Sequence, residues 1–129
     1  MAPPAQPEGS PGPLSPTDAK IALEGFAAIA TAWGLNIEEQ LALLGSPPRS
    51  TYFKWRKDGG TLPRDTEERL SHILNIYRVL QILLPNAEDA DHWMRKPNKH
   101  FGGKPALERA LGGFSDLIEV RRYLDAQRG

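Results

Sequence analysis

Apolar residues recur three and four positions apart along most of the chain, a spacing that predicts amphipathic α-helices. No segment shows the strict alternation of apolar and polar residues that is typical of a half-buried strand. The pattern therefore predicts an all-α fold, with glycines and prolines separating the helices. The predicted helices cover residues 16–33, 36–44, 49–57, 66–84, 86–95, 105–111 and 116–127.

Capping residues support the starts of several helices. Ser15 with Asp18, Asn36 with Glu39, and Asp65 with Glu68 each have the spacing of a capping box, in which side chains satisfy the first backbone N–H groups. The apolar face of the first helix is predicted to consist of Ile21, Ala22, Phe26, Ile29, Ala30 and Trp33.

The helix predicted over residues 66–84 is apolar on more than one side. One face carries Leu70, Ile73, Leu74, Tyr77, Leu80, Gln81 and Leu84, and a second carries Ile76, Val79, Ile82 and Leu83. A helix that is apolar on most sides is usually buried on most sides. In a chain of 129 residues this pattern predicts a self-association surface in addition to a core.

The composition is that of a soluble globular protein, with 40% hydrophobic and 25% charged residues. No apolar run approaches the roughly 18 residues that span a bilayer, and no basic segment precedes an apolar stretch at the N-terminus. The absence of cysteine excludes disulfides and thiolate chemistry and agrees with a reducing compartment. We therefore expect a cytoplasmic protein that does not contact membranes.

The chain is predicted to have three parts. Residues 1–14 are rich in proline and glycine and are expected to form a disordered tail. Residues 15–85 contain the longer helical region, and residues 86–129 form a smaller helical unit that the long helix joins to the first.

The net charge is zero, from 16 basic and 16 acidic residues, but positive charge is concentrated in residues 49–64. That segment holds five basic residues against a single acidic one, a local charge of +4. A short helix, a turn and this basic helix in succession are typical of a helix-turn-helix. The residues predicted to contact DNA are Arg49, Ser50, Thr51, Lys54 and Lys57. The alternative is a three-helix packing unit whose polar face meets only water.

The segment from Trp93 to Pro105 is predicted to be an ordered loop. Pro97 prevents helical geometry at the preceding residue, and the Asn98 side chain can hydrogen-bond to its own backbone. Phe101 is expected to anchor the loop in the core beside Trp93. From these residues alone, the segment could equally be a rigid connector.

The spacing of Trp93, Pro97-Asn98, Phe101, Gly103 and Pro105, followed by a glycine pair and a closing helix, resembles the Xre/MbcA/ParS antitoxin family. Residues 43–45, 50–52, Trp55 and 65–70 also resemble that family's helix-turn-helix half, although the turn at residues 46–48 is one residue longer. The resemblance covers about residues 20–129.

The resemblance implies an antitoxin of a RES-domain toxin, an enzyme that degrades NAD or transfers its ADP-ribose. It implies that the last residues block the toxin's NAD pocket and that a homodimer, formed through the helical N-terminal half, represses its own operon. Carried over by position, the toxin-binding residues would be Trp93, Asn98, Phe101, Arg121, Arg122 and Arg128. From the residues alone, arginines near a helix C-terminus could serve only to complement the helix dipole.

No catalytic residue, metal site or cofactor is predicted. His72, His92 and His100 lack the pairing with a third ligand that a metal site needs, and we expect them to be surface or capping residues. Two other functions remain open at this point. The chain could be a transcription regulator without a toxin partner, or a helical scaffold without a role at DNA.

Overall fold

The computed structural model describes residues 13–129, in which seven α-helices account for most of the chain. The helices are α1 (Pro16–Trp33), α2 (Ile37–Leu43), α3 (Arg49–Asp58), α4 (Arg64–Leu83), α5 (Ala87–His92), α6 (Ala106–Ala110) and α7 (Phe114–Arg128). Two turns of 3-10 helix, Trp93–Arg95 and Lys99–Phe101, lie between α5 and α6. The all-α fold is confirmed, and every predicted helix is present with small shifts of its ends.

Local capping determines where the first two helices begin. Ser15 Oγ accepts a hydrogen bond from the backbone N–H of Asp18, although the reciprocal half of that predicted capping box is not formed between these two residues. At α2 both halves of the box are present: Asn36 Oδ1 accepts from the Glu39 N–H at 2.8 Å, and Glu39 Oε1 accepts from the Asn36 N–H at 3.0 Å. These bonds satisfy backbone donors that have no partner within the helix.

The predicted start of α4 is wrong by two residues. The helix begins at Arg64 after Pro63, and no side chain caps it. Since Asp65 lies inside the first turn, its carboxylate accepts from Arg69 Nε at 2.9 Å instead of from a backbone N–H. Proline has a fixed φ close to the helical value, so it can precede a helix without a side-chain cap.

The core lies on both sides of α4, which packs against α1 on one side and most extensively against α7 on another. Tyr77 contacts Trp33 of α1, whereas Asn75 donates a hydrogen bond to Asp125 of α7. Ile76 and Val79, on the second apolar face, are fully buried. Ile82 on the same face is 50% exposed and Leu83 is half-buried, so the chain covers this face only in part, and its role in self-association stays a prediction.

The predicted apolar face of α1 is confirmed except at Ile21, since Phe26, Ile29, Ala30 and Trp33 are buried and Ala22 is half-buried. Ile21 is 60% exposed, while Ala19 and Leu23 are fully buried. Leu23 lies three residues before Phe26, so it continues the helical row that leads to Phe26, Ala30 and Trp33. Ile21 lies outside this row, and its predicted place in the core is wrong.

Two strands of two residues each form an antiparallel pair that the sequence pattern did not predict. Pro97–Asn98 pairs with Lys104–Pro105, with Pro97 opposite Pro105. A residue that precedes proline is restricted to extended backbone, which favours this geometry at Lys96 and Lys104. The pair closes the loop between α5 and α6.

The predicted tail lies outside the described residues except for Pro13 and Leu14. The N–H of Leu14 donates to Glu67 Oε2 at 2.7 Å, and its side chain packs against the core. Leu14 therefore belongs to the folded part of the chain. Within residues 13–129, none of the helices combines the length and the apolar character needed to cross a membrane.

Gly59 allows the chain to pass close to the start of α1. Its φ of 73° is left-handed, and a Cβ at this position would collide with the carbonyl oxygen of Pro16. With a ψ of −155°, Gly59 occupies a backbone region that is essentially confined to glycine. We expect Gly59→Ala to lower the free energy of unfolding by about 1–3 kcal/mol from backbone strain and by about 1–3 kcal/mol more from the collision.

Gly102→Ala is a control for chemical denaturation, because Gly102 has a φ of 69° and a ψ of 24° and a Cβ added to it would meet no atom within 4 Å. The control should show the cost of a left-handed helical backbone without a collision. Equal losses in the two variants would contradict the role of close packing at Gly59.

Candidate DNA-binding and toxin-binding surfaces

Helix α3 is held on the core by Tyr52, whose side chain is fully buried. Its ring meets Phe26 of α1 edge to face, with centroids 6.3 Å apart. Its hydroxyl donates to Gln40 Oε1 at 2.8 Å, which ties α3 to α2. Burial raises the pKa of Tyr52, while the neighbouring Arg56 opposes the shift. Tyr52 therefore fixes the angle between the two helices of the helix-turn-helix.

The outer side of α3 carries four of the five residues predicted to contact DNA. Arg49, Ser50, Lys54 and Lys57 are exposed, and Thr51 is half-buried. Arg49 forms an ion pair with Glu38 of α2, with both side chains largely in solvent. An exposed pair of this kind contributes little to stability, so Arg49 can exchange Glu38 for a phosphate or a base.

The loop of residues 93–105 is held in shape by Asn98. Its Oδ1 accepts from the His100 N–H at 2.9 Å, and its carbonyl accepts from the Gly103 N–H at 2.9 Å. The predicted backbone contact of the Asn98 side chain is confirmed. Gly102 and Gly103 both have positive φ, as the turn requires.

Tyr123 of α7 is the centre of an aromatic cluster that sequence reasoning missed. It stacks with Trp93 at 6.3 Å and contacts His100 at 4.2 Å and Phe101 at 5.5 Å between ring centroids. Phe101 is 2% exposed and therefore positions the loop instead of presenting a surface. Trp93 and Phe101 are linked through Tyr123. Tyr123 lies between Val120 and Leu124, two buried residues on the apolar side of α7, and this position is the signal that the sequence offers.

Arg95 connects the two halves of the molecule. Its Nε donates to the carbonyl of Trp33 at 2.8 Å, and its Nη2 donates to the carbonyl of Gly34 at 2.7 Å and to Glu39 Oε1 at 2.9 Å. Burial alone would raise the pKa of Glu39, but the bonds from Asn36 and Arg95 outweigh it and lower the pKa. The sequence offers no signal for this contact, because its partners are about sixty residues away.

The three arginines of the C-terminal segment have different surroundings. Arg121 contacts His72 Nδ1 of α4 at 2.7 Å and lies 3.5 Å from the carboxylate of Asp125. Arg122 and Arg128 are exposed. Arg121 is thus engaged within the chain, and the other two are accessible to a partner.

The expectation that His72 is a surface or capping residue is wrong. It lies partly buried between α4 and α7, where its ring also meets Phe114 edge to face at 5.6 Å. An arginine cannot accept a hydrogen bond, so Nδ1 must accept and the imidazole is neutral in this contact.

An open groove of about 240 Å³ lies beside the aromatic cluster. It runs between the ends of α4 and α7. Its lining residues are Leu80, Leu83, Leu84, Trp93, Tyr123, Leu124 and Gln127. Arg128, which follows Gln127 along α7, is exposed.

Two family models together match almost the whole chain. Residues 79–129 match the antitoxin Xre/MbcA/ParS C-terminal toxin-binding domain, and residues 12–75 match the antitoxin Xre-like helix-turn-helix domain. This chain belongs to the Xre/MbcA/ParS antitoxin family. The resemblance described from the sequence is confirmed, and the antitoxin consists of a helix-turn-helix domain followed by a toxin-binding domain.

A relative supports the continuity of the two domains. The antitoxin is 56% identical over 108 residues to a protein of Sinorhizobium fredii (strain NBRC 101917 / NGR234) described as uncharacterized protein y4oB. The match covers 83% of the antitoxin and 84% of that protein, so both domains are included. The individual DNA and toxin contacts remain predictions.

The surroundings of His72 predict a pH-dependent stability. Burial lowers the pKa of His72 below 6.5, and Arg121 adds to the shift, while Glu68 opposes it. The unfolded chain therefore takes up a proton more readily than the folded chain. The free energy of unfolding should have its full value above pH 6.5 and should fall as the pH drops below that value.

His72→Asn removes this titration and leaves an amide that can still accept from Arg121. The drop in melting temperature from about pH 7.5 to about pH 5.5 should be smaller in the variant than in the parent. The lower pH stays above the range in which Glu39 titrates, since the pKa of Glu39 is lowered from 4.5. An identical drop in melting temperature in both proteins would contradict the assignment of this pH dependence to His72.

Proposed function

We propose that this antitoxin neutralises a RES-domain toxin by occupying its NAD pocket with the C-terminal end of α7, and that it represses its own operon through α3. The observation that carries the proposal is the exposure of Arg122 and Arg128 on α7, the helix that also lines the open groove of the toxin-binding domain. Both partners, operator DNA and an NAD-using toxin, are expected in the cytoplasm.

The toxin-binding surface combines three kinds of contact. Trp93 and the groove offer apolar area, Asn98 keeps the loop in a single shape, and Arg122 and Arg128 project charge. A guanidinium can pair with two carboxylate oxygens at once, and carboxylates in a phosphate-binding cleft would suit it. Phe101 and Arg121 contribute by positioning, since Phe101 is buried and Arg121 is engaged with His72.

The DNA-binding surface is the outer side of α3. Arg49, Ser50 and Thr51 at its N-terminal end would approach base edges, and Lys54 and Lys57 would contact phosphates. The local excess of positive charge supports this division in a chain whose net charge is zero. Phosphate contacts release counterions, so binding should weaken steeply with salt.

The antitoxin would act as a homodimer that does not use the buried face of α4. The most exposed large apolar side chains of residues 13–129 are Ile21 on α1 and Ile82 on α4, at 60% and 50%. Ile21 belongs to the helix-turn-helix half, in agreement with a dimer formed there. Both matched domains belong to non-enzymatic families, and we expect the antitoxin to have no activity of its own.

Co-expression with the neighbouring open reading frame tests the central proposal. We expect the neighbour alone to stop colony growth and deplete intracellular NAD, and the antitoxin to restore both. Growth arrest without NAD loss would point to a toxin that modifies proteins. A harmless neighbour that does not co-purify with the antitoxin would favour a transcription regulator without a toxin partner.

Separate variants test the division of labour. Arg122→Glu with Arg128→Glu should abolish neutralisation and leave promoter binding intact, because reversed charge in the pocket repels the carboxylates that the arginines would pair with. Arg49→Ala with Lys54→Ala should weaken promoter binding, by about 1–3 kcal/mol for a base contact, and leave neutralisation intact.

Arg78→Glu is the control. Arg78 is exposed on α4, and in the sequence it lies far from the residues of both double variants. It should affect neither colony survival nor mobility-shift titration of the promoter. Loss of both functions in either double variant with an intact circular dichroism spectrum would contradict the proposal.

A further inference from the structure

Phe53 is a large apolar residue on the polar side of α3. It is 44% exposed, and in the described part of the chain only Ile21 and Ile82 are comparable. Those two lie on α1 and α4, so Phe53 is the exposed apolar residue of the predicted recognition helix. The packing of the core does not account for its position.

The neighbours of Phe53 on the helix surface are cations. Residues four apart lie on the same side of an α-helix, so Arg49 and Lys57 flank Phe53 along one row. Lys54 is the next residue in the chain and is also exposed. Phe53 is therefore the apolar centre of a surface that is otherwise basic.

The Phe53 ring is held in place by its neighbours. It lies 5.4 Å from the ring of Tyr52, which is fully buried, and the guanidinium of Arg56 lies over it at 5.9 Å from the centroid. Arg56 also covers the Tyr52 ring at 5.6 Å. An aromatic group that is fixed before binding loses little conformational freedom when a partner covers it.

We propose that Phe53 recognises a thymine by contact with its C5-methyl group in the major groove. The inference rests on the proposed function of α3 as the recognition helix. Thymine is the base that presents a methyl group in the major groove, and a phenylalanine side chain can contact it. Phe53 would thus supply sequence preference, while the neighbouring Lys54 and Lys57 supply affinity through phosphates.

Duplex DNA suits this surface better than a protein does. The centre of a protein interface is depleted of lysine, whereas Phe53 is surrounded by Arg49, Lys54 and Lys57. A protein partner would have to desolvate these charges around the ring. The DNA backbone, by contrast, carries the phosphates that such cations pair with.

The test compares two forms of the promoter fragment upstream of the antitoxin's own gene, one amplified with dTTP and the other with dUTP. Deoxyuridine lacks only the methyl group. The parent protein should bind the uracil form more weakly, by about fourfold for each contacted methyl, from the transfer free energy of one methyl group. If the parent protein binds the two forms with equal affinity, this measurement alone overturns the proposal.

Phe53→Ala should bind the thymine form more weakly than the parent and bind both forms equally, since the contacting group is gone. Arg78→Glu, which changes an exposed residue of α4 outside both proposed surfaces, should keep the parent's preference for thymine. If Phe53→Ala still distinguishes the two forms, or if it loses toxin neutralisation instead, Phe53 does not read thymine.

A parent protein that binds neither form would overturn the operator-binding part of the proposed function, and the role of Phe53 with it. Binding without discrimination would overturn the role of Phe53 alone. Both fragments should be titrated at one fixed salt concentration, because phosphate contacts make every affinity depend on it.

Discussion

The burial of α4 on two sides is the constraint on which the rest of the structure depends. Helix α1 covers one side, where Trp33 meets Tyr77, and α7 covers another, where Arg121 and Asp125 meet His72 and Asn75. The two family matches end and begin within this helix, at residues 75 and 79. Both domains therefore share one core, and neither can bury its apolar face without α4.

Arg95 adds a polar link between the same two halves. A planar guanidinium with several donors can satisfy two carbonyls and one carboxylate together, which a lysine ammonium on a flexible stem does less well. The carbonyls belong to Trp33 and Gly34 at the C-terminal end of α1, where the helix leaves acceptors without partners. This contact fixes the start of the loop of residues 93–105 against the helix-turn-helix domain.

The proposed functional surfaces are made of residues that the core does not use. Successive helical residues are separated by about 100° around the axis, so neighbours in sequence can have different roles. Tyr52 is buried and Phe53 is exposed on α3, and Arg121 is engaged while Arg122 is accessible on α7. A rigid scaffold with free groups at its edges suits a protein that combines a helix-turn-helix domain with a toxin-binding domain, because little conformational freedom is lost on binding a partner.

The sequence by itself determined the helices, most of their ends and the family, because caps, prolines and glycines act over three or four residues. The Asn36–Glu39 box, the turn at Asn98 and the stripe of Leu117, Val120 and Leu124 follow from such local patterns. Tertiary structure alone decided the contacts of Arg95, the pairing of His72 with Arg121 and the aromatic contacts of Tyr123. It also decided that α7 packs against α4 and that Ile21 stays outside the core. Helical periodicity describes one helix at a time, and which apolar face is covered depends on the helix that packs against it.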